Sequence, residues 1–408
     1  MSHELTAIRA LEGVRVIELG GYAAGPVVGK HLSNYGADVI RIESSKRLDG
    51  FRSHYPPFKD NVPGTERAGI FNYFNDGKRS ITLNLKTDRG RDLACQLIAG
   101  ADVVVENFTP GTMQRLGLDF ASLSALNSCL VMLSTCNQGQ TGPRAAQPGF
   151  GSHLTSLSGF THLLGEPDRS PALLYGPYID YIAVGYGTIA VLAALVQRRR
   201  TARGAHIDLS QYEAGLQFLA PAVMDYFVNR RVAGREGNRH QSAVPHGVYA
   251  CAGDDQWCAL SIWNDAEWHA FGALVGDDWT LHERFATVLG RKAYEAEIDR
   301  RVAEWTAARQ RDDVVALLRG AGLHAAPVNS MADLFADPQL VERTWRAVEH
   351  PVLGKVHVMA PPFLLRGTPP RVEQAAPLLG QHTRSVLREV LSLSDAEIDE
   401  LEAQGVLE

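Results

Sequence analysis

Cysteine is scarce in this 408-residue sequence, and no two of its five cysteines form a Cys-x-x-Cys pair. An odd number of widely spaced cysteines argues against a disulfide framework, and the missing pair argues against zinc, so no metal is expected. Residues 1–13 also lack an apolar signal region, and the expected location is therefore the reducing cytoplasm. The cysteines are Cys95, Cys129, Cys136, Cys251 and Cys258.

The sequence also has no excess of positive charge. The formal net charge is −6, the pI is near 6.2 and the basic residues are scattered, so nucleic acid is not an expected partner. The longest apolar stretch, residues 181–197, is shorter than the ~20 residues that a bilayer requires. No membrane association is therefore expected.

The N-terminal part lacks a complete Gly-x-Gly-x-x-Gly fingerprint, although it has the pattern in which that motif occurs. Residues 14–19 and 37–43 are typical of buried strands, and between them a glycine-rich turn leads into a helix. Pro26 suits the first turn of this helix and Gly36 suits its end. This βαβ unit predicts a parallel sheet with a ligand crevice at the carboxyl ends of its strands. A nicotinamide-dependent oxidoreductase is the less favoured interpretation.

Strand and helix patterns continue to alternate along the chain. Residues 79–85, 101–106 and 130–134 predict strands, and loops rich in Gly, Asn, Gln and Thr follow them. The predicted fold class is therefore α/β, with a doubly wound sheet and a binding crevice. A polar linker near residue 230 precedes a smaller α+β region. The predicted domain limits are 1–229, 230–325 and a return to the large domain over 326–408.

The apolar stretch that begins after Asp180 and ends at Arg198 is the feature most suggestive of chemistry. Apolar residues lie all round its helical wheel, which predicts a buried helix. Gly185 and Gly187 would allow another backbone or a ligand to come close. Asp180 itself has two interpretations: an N-cap for this helix, or a nucleophilic carboxylate in an apolar setting.

Six stretches, in order along nearly the whole chain, resemble the class III CoA-transferases, the family that includes formyl-CoA transferase, carnitine CoA-transferase and α-methylacyl-CoA racemase. They are LEGVRVIEL (11–19) with AGP (24–26), GADVIRIE (36–43), KRSITLNLK (78–86), ADVVVENF (101–108), GQTGP (139–143) and LLGQHT (378–383). Each is unspecific alone, but six in register are specific.

The resemblance implies that Asp180 is the catalytic nucleophile, because the family's nucleophile is an Asp just before a long apolar helix. It implies a Rossmann-like large domain built from both chain ends, a small domain between them, and an interlaced dimer. The partner would be a second copy or a related subunit. Coenzyme A and acyl-CoA would be substrates, alongside a free carboxylic acid, and no permanently bound cofactor is expected.

The resemblance also implies a set of coenzyme contacts. Two departures from formyl-CoA transferase are Ser44, in place of an Arg, and Cys136, in place of a Lys; Arg41 or Lys46 could supply the missing charge. Lys86 and Arg115 could instead be solvated surface charges, and Asn107 a turn residue. The implied contacts are Ala23, Ala24, Leu83, Lys86, Asn107, Phe108, Thr109, Arg115, Cys136, Asn137, Gln138 and Gly139.

Alternatives within and beyond the family stay open at this point. Racemases of the family use a His with the Asp, and here Phe150 stands where that His would align, with His153 close by; transfer is favoured. A non-enzymatic partner subunit is disfavoured by Asp180. The aromatic and basic segment 50–58 suggests a succinyl-CoA donor and an aryl-substituted acceptor, as in benzylsuccinate CoA-transferases, unless it is a plain surface loop.

Overall fold

The computed structural model describes residues 9–408, which divide into two compact units. The first unit comprises the chain up to Phe160 together with Leu173–Val228 and Pro338–Glu408. The second comprises Thr161–Ala172 and Asn229–Asp337. The small domain predicted for residues 230–325 lies inside the second unit, which extends further at its carboxyl end and includes an additional earlier segment.

A six-stranded parallel sheet forms the centre of the first unit, in the order β3-β2-β1-β4-β5-β6. Most strand residues are fully buried, because helices cover both faces and the strands are rich in Val and Ile. This is the Rossmann order, and the α/β prediction is confirmed. The strands are β1 (Arg15–Leu19), β2 (Asp38–Glu43), β3 (Arg79–Thr82), β4 (Val103–Glu106), β5 (Val131–Cys136) and β6 (Ala205–Ser210).

Helices fill both sides of this sheet, and a carboxyl-terminal hairpin of β10 (Trp345–His350) and β11 (Gly354–Met359) completes the first unit. Residues 59–61 form a 3₁₀ turn. The helices up to the start of the second unit's main segment are α1 (Ala24–Asn34), α2 (Gly50–Ser53), α3 (Gly69–Asn75), α4 (Asp88–Ala99), α5 (Thr112–Leu116), α6 (Phe120–Leu126), α7 (Gly151–Leu157), α8 (Phe160–Leu163), α9 (Tyr178–Thr201), α10 (Gln211–Phe218) and α11 (Ala220–Asn229).

The second unit contains a three-stranded antiparallel sheet, in the order β7-β8-β9, packed around an aromatic core that includes Trp268, Phe271 and Phe285. Its strands are β7 (His246–Ala250), β8 (Trp257–Ser261) and β9 (His324–Pro327). Its helices are α12 (Asp265–Val275), α13 (Val288–Ala293), α14 (Glu295–Ala307), α15 (Arg311–Gly320) and α16 (Met331–Ala336), with 3₁₀ turns at Asp278–Leu281 and Glu283–Phe285. The chain returns to the first unit in α17 (Pro338–Arg343), α18 (Thr383–Leu391) and α19 (Asp395–Ala403).

Helix α9 differs from its prediction in two respects. It begins at Tyr178, so Asp180 is its third residue rather than its cap. It is also buried on one side only: Ile189 and Val196 are exposed, whereas Gly187 packs against Leu133 of β5. By length and composition α9 would qualify as a bilayer span, which is weak evidence, since core helices of soluble proteins qualify too.

Candidate active site

The carboxyl ends of β1 and β4 meet where the sheet order reverses, and Asn107 connects them. Its side-chain amide donates to the Gly21 carbonyl at 2.7 Å, and its oxygen accepts from the Gly21 N–H at 3.0 Å. Gly20, at φ +108°, leaves no room for a Cβ because that atom would collide with the Asn107 oxygen. Asn107 therefore fixes the turn between β1 and α1, at the position where α/β sheets bind ligands.

A buried group of charges lies beneath this turn. The Arg41 guanidinium contacts Glu18 at 2.7 Å, Asp49 at 2.5 Å and the Gly20 carbonyl at 3.0 Å. Lys78 contacts Glu18 at 2.9 Å, and burial lowers the pKa of this amine to about 8. The suggestion that Arg41 supplies the missing coenzyme cation is therefore wrong, because Arg41 has no exposed surface and three carboxylates neutralise it.

The other suggested cation, Lys46, is largely exposed and lies 3.2 Å from Glu408. It thus has the access to solvent that Arg41 lacks. Within segment 50–58, Arg52 is buried and forms ion pairs with Glu43 and Glu66. The basic part of that segment is therefore structural, whereas its Tyr55 ring is exposed.

Asp180 differs from these buried and paired charges. It is not the N-cap of α9: Pro177 holds that position, and no side-chain capping bond is made. Within residues 9–408 no side chain or N–H donates to its carboxylate. Burial raises the pKa of Asp180 to about 7, although the residue keeps some exposure. A half-protonated, uncompensated carboxylate near neutral pH is typical of functional sites.

Helix α7 places a further set of groups beside Asp180. A Cβ on Gly151 would lie 3.3 Å from the Asp180 Oδ1 and would collide with Pro177, so the absence of a side chain lets the two helices meet. The next residues of α7, Ser152 and His153, line a cavity of about 370 Å³. Asn137 closes another side by donating to the Gly149 carbonyl at 2.8 Å. The first turn of α7 thus contacts both Asp180 and the cavity.

The predicted coenzyme contacts follow the carboxyl ends of β1, β3, β4 and β5, which lie at one edge of the parallel sheet. Their exposure differs. Ala23, Ala24 and Leu83 are almost completely buried and can shape that edge without presenting side chains to solvent. Gln138 and Gly139 are also buried, and Phe108 and Asn137 are half-buried. The exposed members are Lys86, Thr109 and Arg115.

Two of these residues have contacts that bear on their predicted roles. Arg115 donates to the Thr112 hydroxyl at 2.8 Å and leaves its charge in solvent. Cys136 is buried, and desolvation raises the pKa of its thiol to about 11, so it carries no charge at neutral pH. It therefore does not replace the Lys that stands at this position in formyl-CoA transferase.

A cluster of aromatic rings also lies at this site, and sequence reasoning identified only the part of it within residues 50–58. Tyr22 contacts Phe51, Tyr55 and Phe150, with ring centroids 5.3, 6.0 and 6.1 Å apart. Phe150 directly precedes Gly151, where an added Cβ would lie 3.3 Å from the Asp180 Oδ1. The sequence shows that each of these four residues is aromatic, but nothing in it indicates that their rings contact one another.

Comparisons with known proteins cover nearly the whole chain. Residues 11–383 match the sequence model of the family described as CoA-transferase family III. Succinate–glutarate CoA-transferase from Agrobacterium fabrum is 34% identical over 93% of this chain and 95% of that protein. Succinyl-CoA–D-citramalate CoA-transferase from Chloroflexus aurantiacus is 30% identical over 98% of both.

Among solved structures, a CAIB/BAIF family protein from Brucella suis superposes with a TM-score of 0.87. It is 34% identical to this chain and covers 94% of it, with 99% of its own chain matched. The likeness thus extends over nearly the whole chain.

Proposed function

Because this chain belongs to CoA-transferase family III and is an enzyme of that class, we propose a specific reaction for it. It moves CoA from succinyl-CoA to a dicarboxylic acid through a thioester on Asp180. The observation that carries the proposal is the isolation of Asp180. Its carboxylate has no neutralising partner within residues 9–408, it retains exposure, and its raised pKa reflects weak solvation. Weak solvation makes a carboxylate a stronger nucleophile.

The reaction proceeds in four balanced steps. The ionised Asp180 oxygen attacks the succinyl-CoA carbonyl, and the C–S bond breaks to give a mixed anhydride and CoA thiolate. The thiolate attacks the aspartyl carbonyl, which forms the aspartyl-CoA thioester and expels succinate. The acceptor carboxylate then attacks this thioester and regenerates thiolate. Finally the thiolate attacks the acceptor's acyl carbon, and Asp180 leaves as a carboxylate. The covalent intermediate divides one difficult exchange into easier steps.

The substrate class is supported by the relatives. Their names specify succinate with glutarate, and succinyl-CoA with citramalate or L-malate, all of them dicarboxylic acids. The exposed rings near Asp180 favour an acceptor with an apolar or aryl substituent, such as benzylsuccinate. We therefore propose succinyl-CoA as donor and a substituted succinate as acceptor.

The proposal is tested by intact-protein mass spectrometry after incubation with succinyl-CoA. The wild-type protein should gain a CoA mass on the peptide that contains Asp180, and hydroxylamine should release CoA as its free thiol and leave a hydroxamate on Asp180. Asp180→Ala should lower kcat by at least ~10³-fold. Asp208→Asn is a matched control, since Asp208 is an exposed carboxylate that holds the Gln140 N–H at 2.7 Å. Continued transfer by the alanine variant, without any adduct, would exclude the mechanism.

Racemisation of an acyl-CoA is the second candidate, and His153 is the observation that bears on it. The Phe150 N–H donates to the His153 Nδ1 at 3.2 Å, so the neutral ring carries its proton on Nε2. In that state His153 presents a donor rather than a base. Transfer is therefore favoured, and deuterium exchange at the α-carbon of a 2-methylacyl-CoA in D₂O would reverse that preference.

A dimer is the assembly that we propose, as a homodimer or with a related subunit. Support comes from the exposed apolar side of α9, where Ile189 is 67% exposed, and from the exposed Phe227 of α11. A relative from Chloroflexus aurantiacus is named as having alpha and beta subunits. Analytical ultracentrifugation of the purified chain alone would distinguish a homodimer from a chain that requires a second subunit.

A further inference from the structure

The turn between β1 and α1 is held in an unusual conformation by three side chains. Arg41 binds the Gly20 carbonyl, Asn107 binds both polar groups of Gly21, and Asp49 accepts from the Tyr22 N–H at 3.1 Å. Tyr22 has φ +61°, in the left-handed region that is uncommon for a non-glycine residue. Such a conformation persists only when its surroundings enforce it, and it often occurs at functional sites.

Gly50 makes room for the Tyr22 ring. A Cβ at residue 50 would lie 2.6 Å from that ring, which is closer than carbon atoms can approach. Gly50 is the first residue of α2 and has no positive φ, so its backbone would tolerate alanine. The missing side chain therefore serves the position of Tyr22 and not the local backbone.

Two routes of contact connect the Tyr22 ring with Asp180. One passes through Phe150, 6.1 Å from Tyr22, to the adjacent Gly151, where an added Cβ would lie 3.3 Å from the Asp180 Oδ1. The other passes through Phe51 and Phe74 to Tyr181, next to Asp180 in α9, with centroid separations of 5.3, 5.4 and 6.0 Å. The ring of Tyr22 thus packs in a cluster that includes Phe150, the residue before Gly151, and Tyr181, the residue after Asp180.

These rings are not a closed core. Tyr22 is 40% exposed, Tyr55 41% and Phe150 56%, so each presents a face to a ligand. Aromatic pairs prefer edge-to-face or offset arrangements, and the three contacts of Tyr22 are edge-to-face. A further flat ring can add to such a cluster by stacking on an open face.

We propose that Tyr22 is the specificity-determining residue for the acceptor acid: its ring, placed by Asp49 and Gly50, contacts an aryl or bulky apolar substituent while the acid's carboxylate reaches Asp180. This inference rests on the proposed transfer through Asp180. Asp49 and Gly50 are positioning residues, because they act through Tyr22.

The test compares two acceptors, benzylsuccinate and glutarate, with succinyl-CoA as donor. Tyr22→Ala should lower the ratio of kcat/KM for benzylsuccinate over glutarate by ~10–100-fold, which is the scale of discrimination by an apolar pocket. Tyr22→Phe keeps the ring and should restore the ratio to within a few-fold of wild type. An unchanged ratio in Tyr22→Ala would overturn the inference.

Gly50→Ala tests the role of Tyr22 independently, because the added methyl group would displace the Tyr22 ring. It should lower the same ratio in the wild-type background and have no further effect in Tyr22→Ala, because the two changes act through one group. Additive effects would mean that Gly50 does not act through Tyr22, which contradicts the inference.

Adduct formation by the wild-type protein distinguishes a failure of the proposed function from a failure of this inference. If succinyl-CoA leaves no aspartyl-CoA adduct on Asp180, the proposed function fails and this inference fails with it. If the adduct forms but the kcat/KM ratio for the two acceptors is the same in wild type and Tyr22→Ala, only the inference about Tyr22 fails.

Discussion

Glu18 and Asp180 are both acidic residues of the first unit, yet their surroundings are opposite. Glu18 is completely buried and contacts two cations, Arg41 at 2.7 Å and Lys78 at 2.9 Å. Asp180 keeps some exposure and has no cation or donor on its carboxylate within residues 9–408, so desolvation raises its pKa to about 7. The contrast indicates that a neutralised acid maintains the fold, whereas an isolated acid is available for chemistry.

The first test of this contrast removes the charge of Glu18. Glu18→Gln leaves Arg41 and Lys78 short of a counter-charge in the interior, and losing one member of a buried ion pair costs about 3–5 kcal/mol. We expect amide exchange in β1 and β2, measured by hydrogen–deuterium exchange, to accelerate ~10²-fold or more. This readout is local, which suits a chain with two units.

Glu389→Gln is the matched control. Glu389 pairs with Arg79 at 2.7 Å but is 61% exposed, and such a surface pair contributes under about 1 kcal/mol. Its exchange rates should therefore stay within a few-fold of wild type. Equal acceleration in the two variants would show that burial does not distinguish the two kinds of acid.

The position of the sheet could be predicted from sequence, because its strands are short runs of Val and Ile that need burial on both faces. The predicted strands at 14–19, 37–43, 101–106 and 130–134 are confirmed within one or two residues at each end. The buried Arg41 was misjudged, because its partner Glu18 lies opposite it only through the register of β1 and β2. That register depends on tertiary structure.

The site was predictable to a smaller extent. Asp180 was identified by resemblance, whereas its local pattern favoured a cap; the helix instead begins at Tyr178, after Pro177. The sequence also places Asp180 in a helix's first turn, where the dipole favours the charged form by about 0.3–1 kcal/mol. A pKa near 7 means that desolvation outweighs this term, since one pKa unit is about 1.4 kcal/mol.

The second prediction concerns the pH dependence of the first half-reaction. Only the ionised Asp180 can attack a thioester, so kcat/KM for adduct formation from succinyl-CoA should rise tenfold per pH unit below about 7 and then level off. Between the high-pH plateau and pH 5 the expected loss is ~10²-fold. Rapid-quench mass spectrometry measures it.

His153 is the control for this profile, because its ring lines the neighbouring cavity and histidine is the residue type that most often changes charge between about pH 5 and 8. His153→Gln should keep the same inflection, whatever its effect on the plateau. An inflection near pH 4 in the wild type, or its disappearance in His153→Gln, would assign the titration to a group other than an isolated Asp180.

The smallest expected effect is on the free energy of unfolding, and it comes from the charge of Asp180. Its pKa is about 7 in the folded protein and about 4 in an unfolded chain, so the folded state binds more protons between these values. Stability therefore falls as pH rises from about 4 to 7, the reverse of a salt-bridged acid.

Asp180→Asn removes this dependence of stability on pH. Because Asp180 is partly exposed, we expect the variant to gain only about 1–2 kcal/mol at pH 8 and almost nothing at pH 4. Exchange in α9 and α7 measures the difference, and a gain of equal size at both pH values would show that it does not come from the carboxylate's charge.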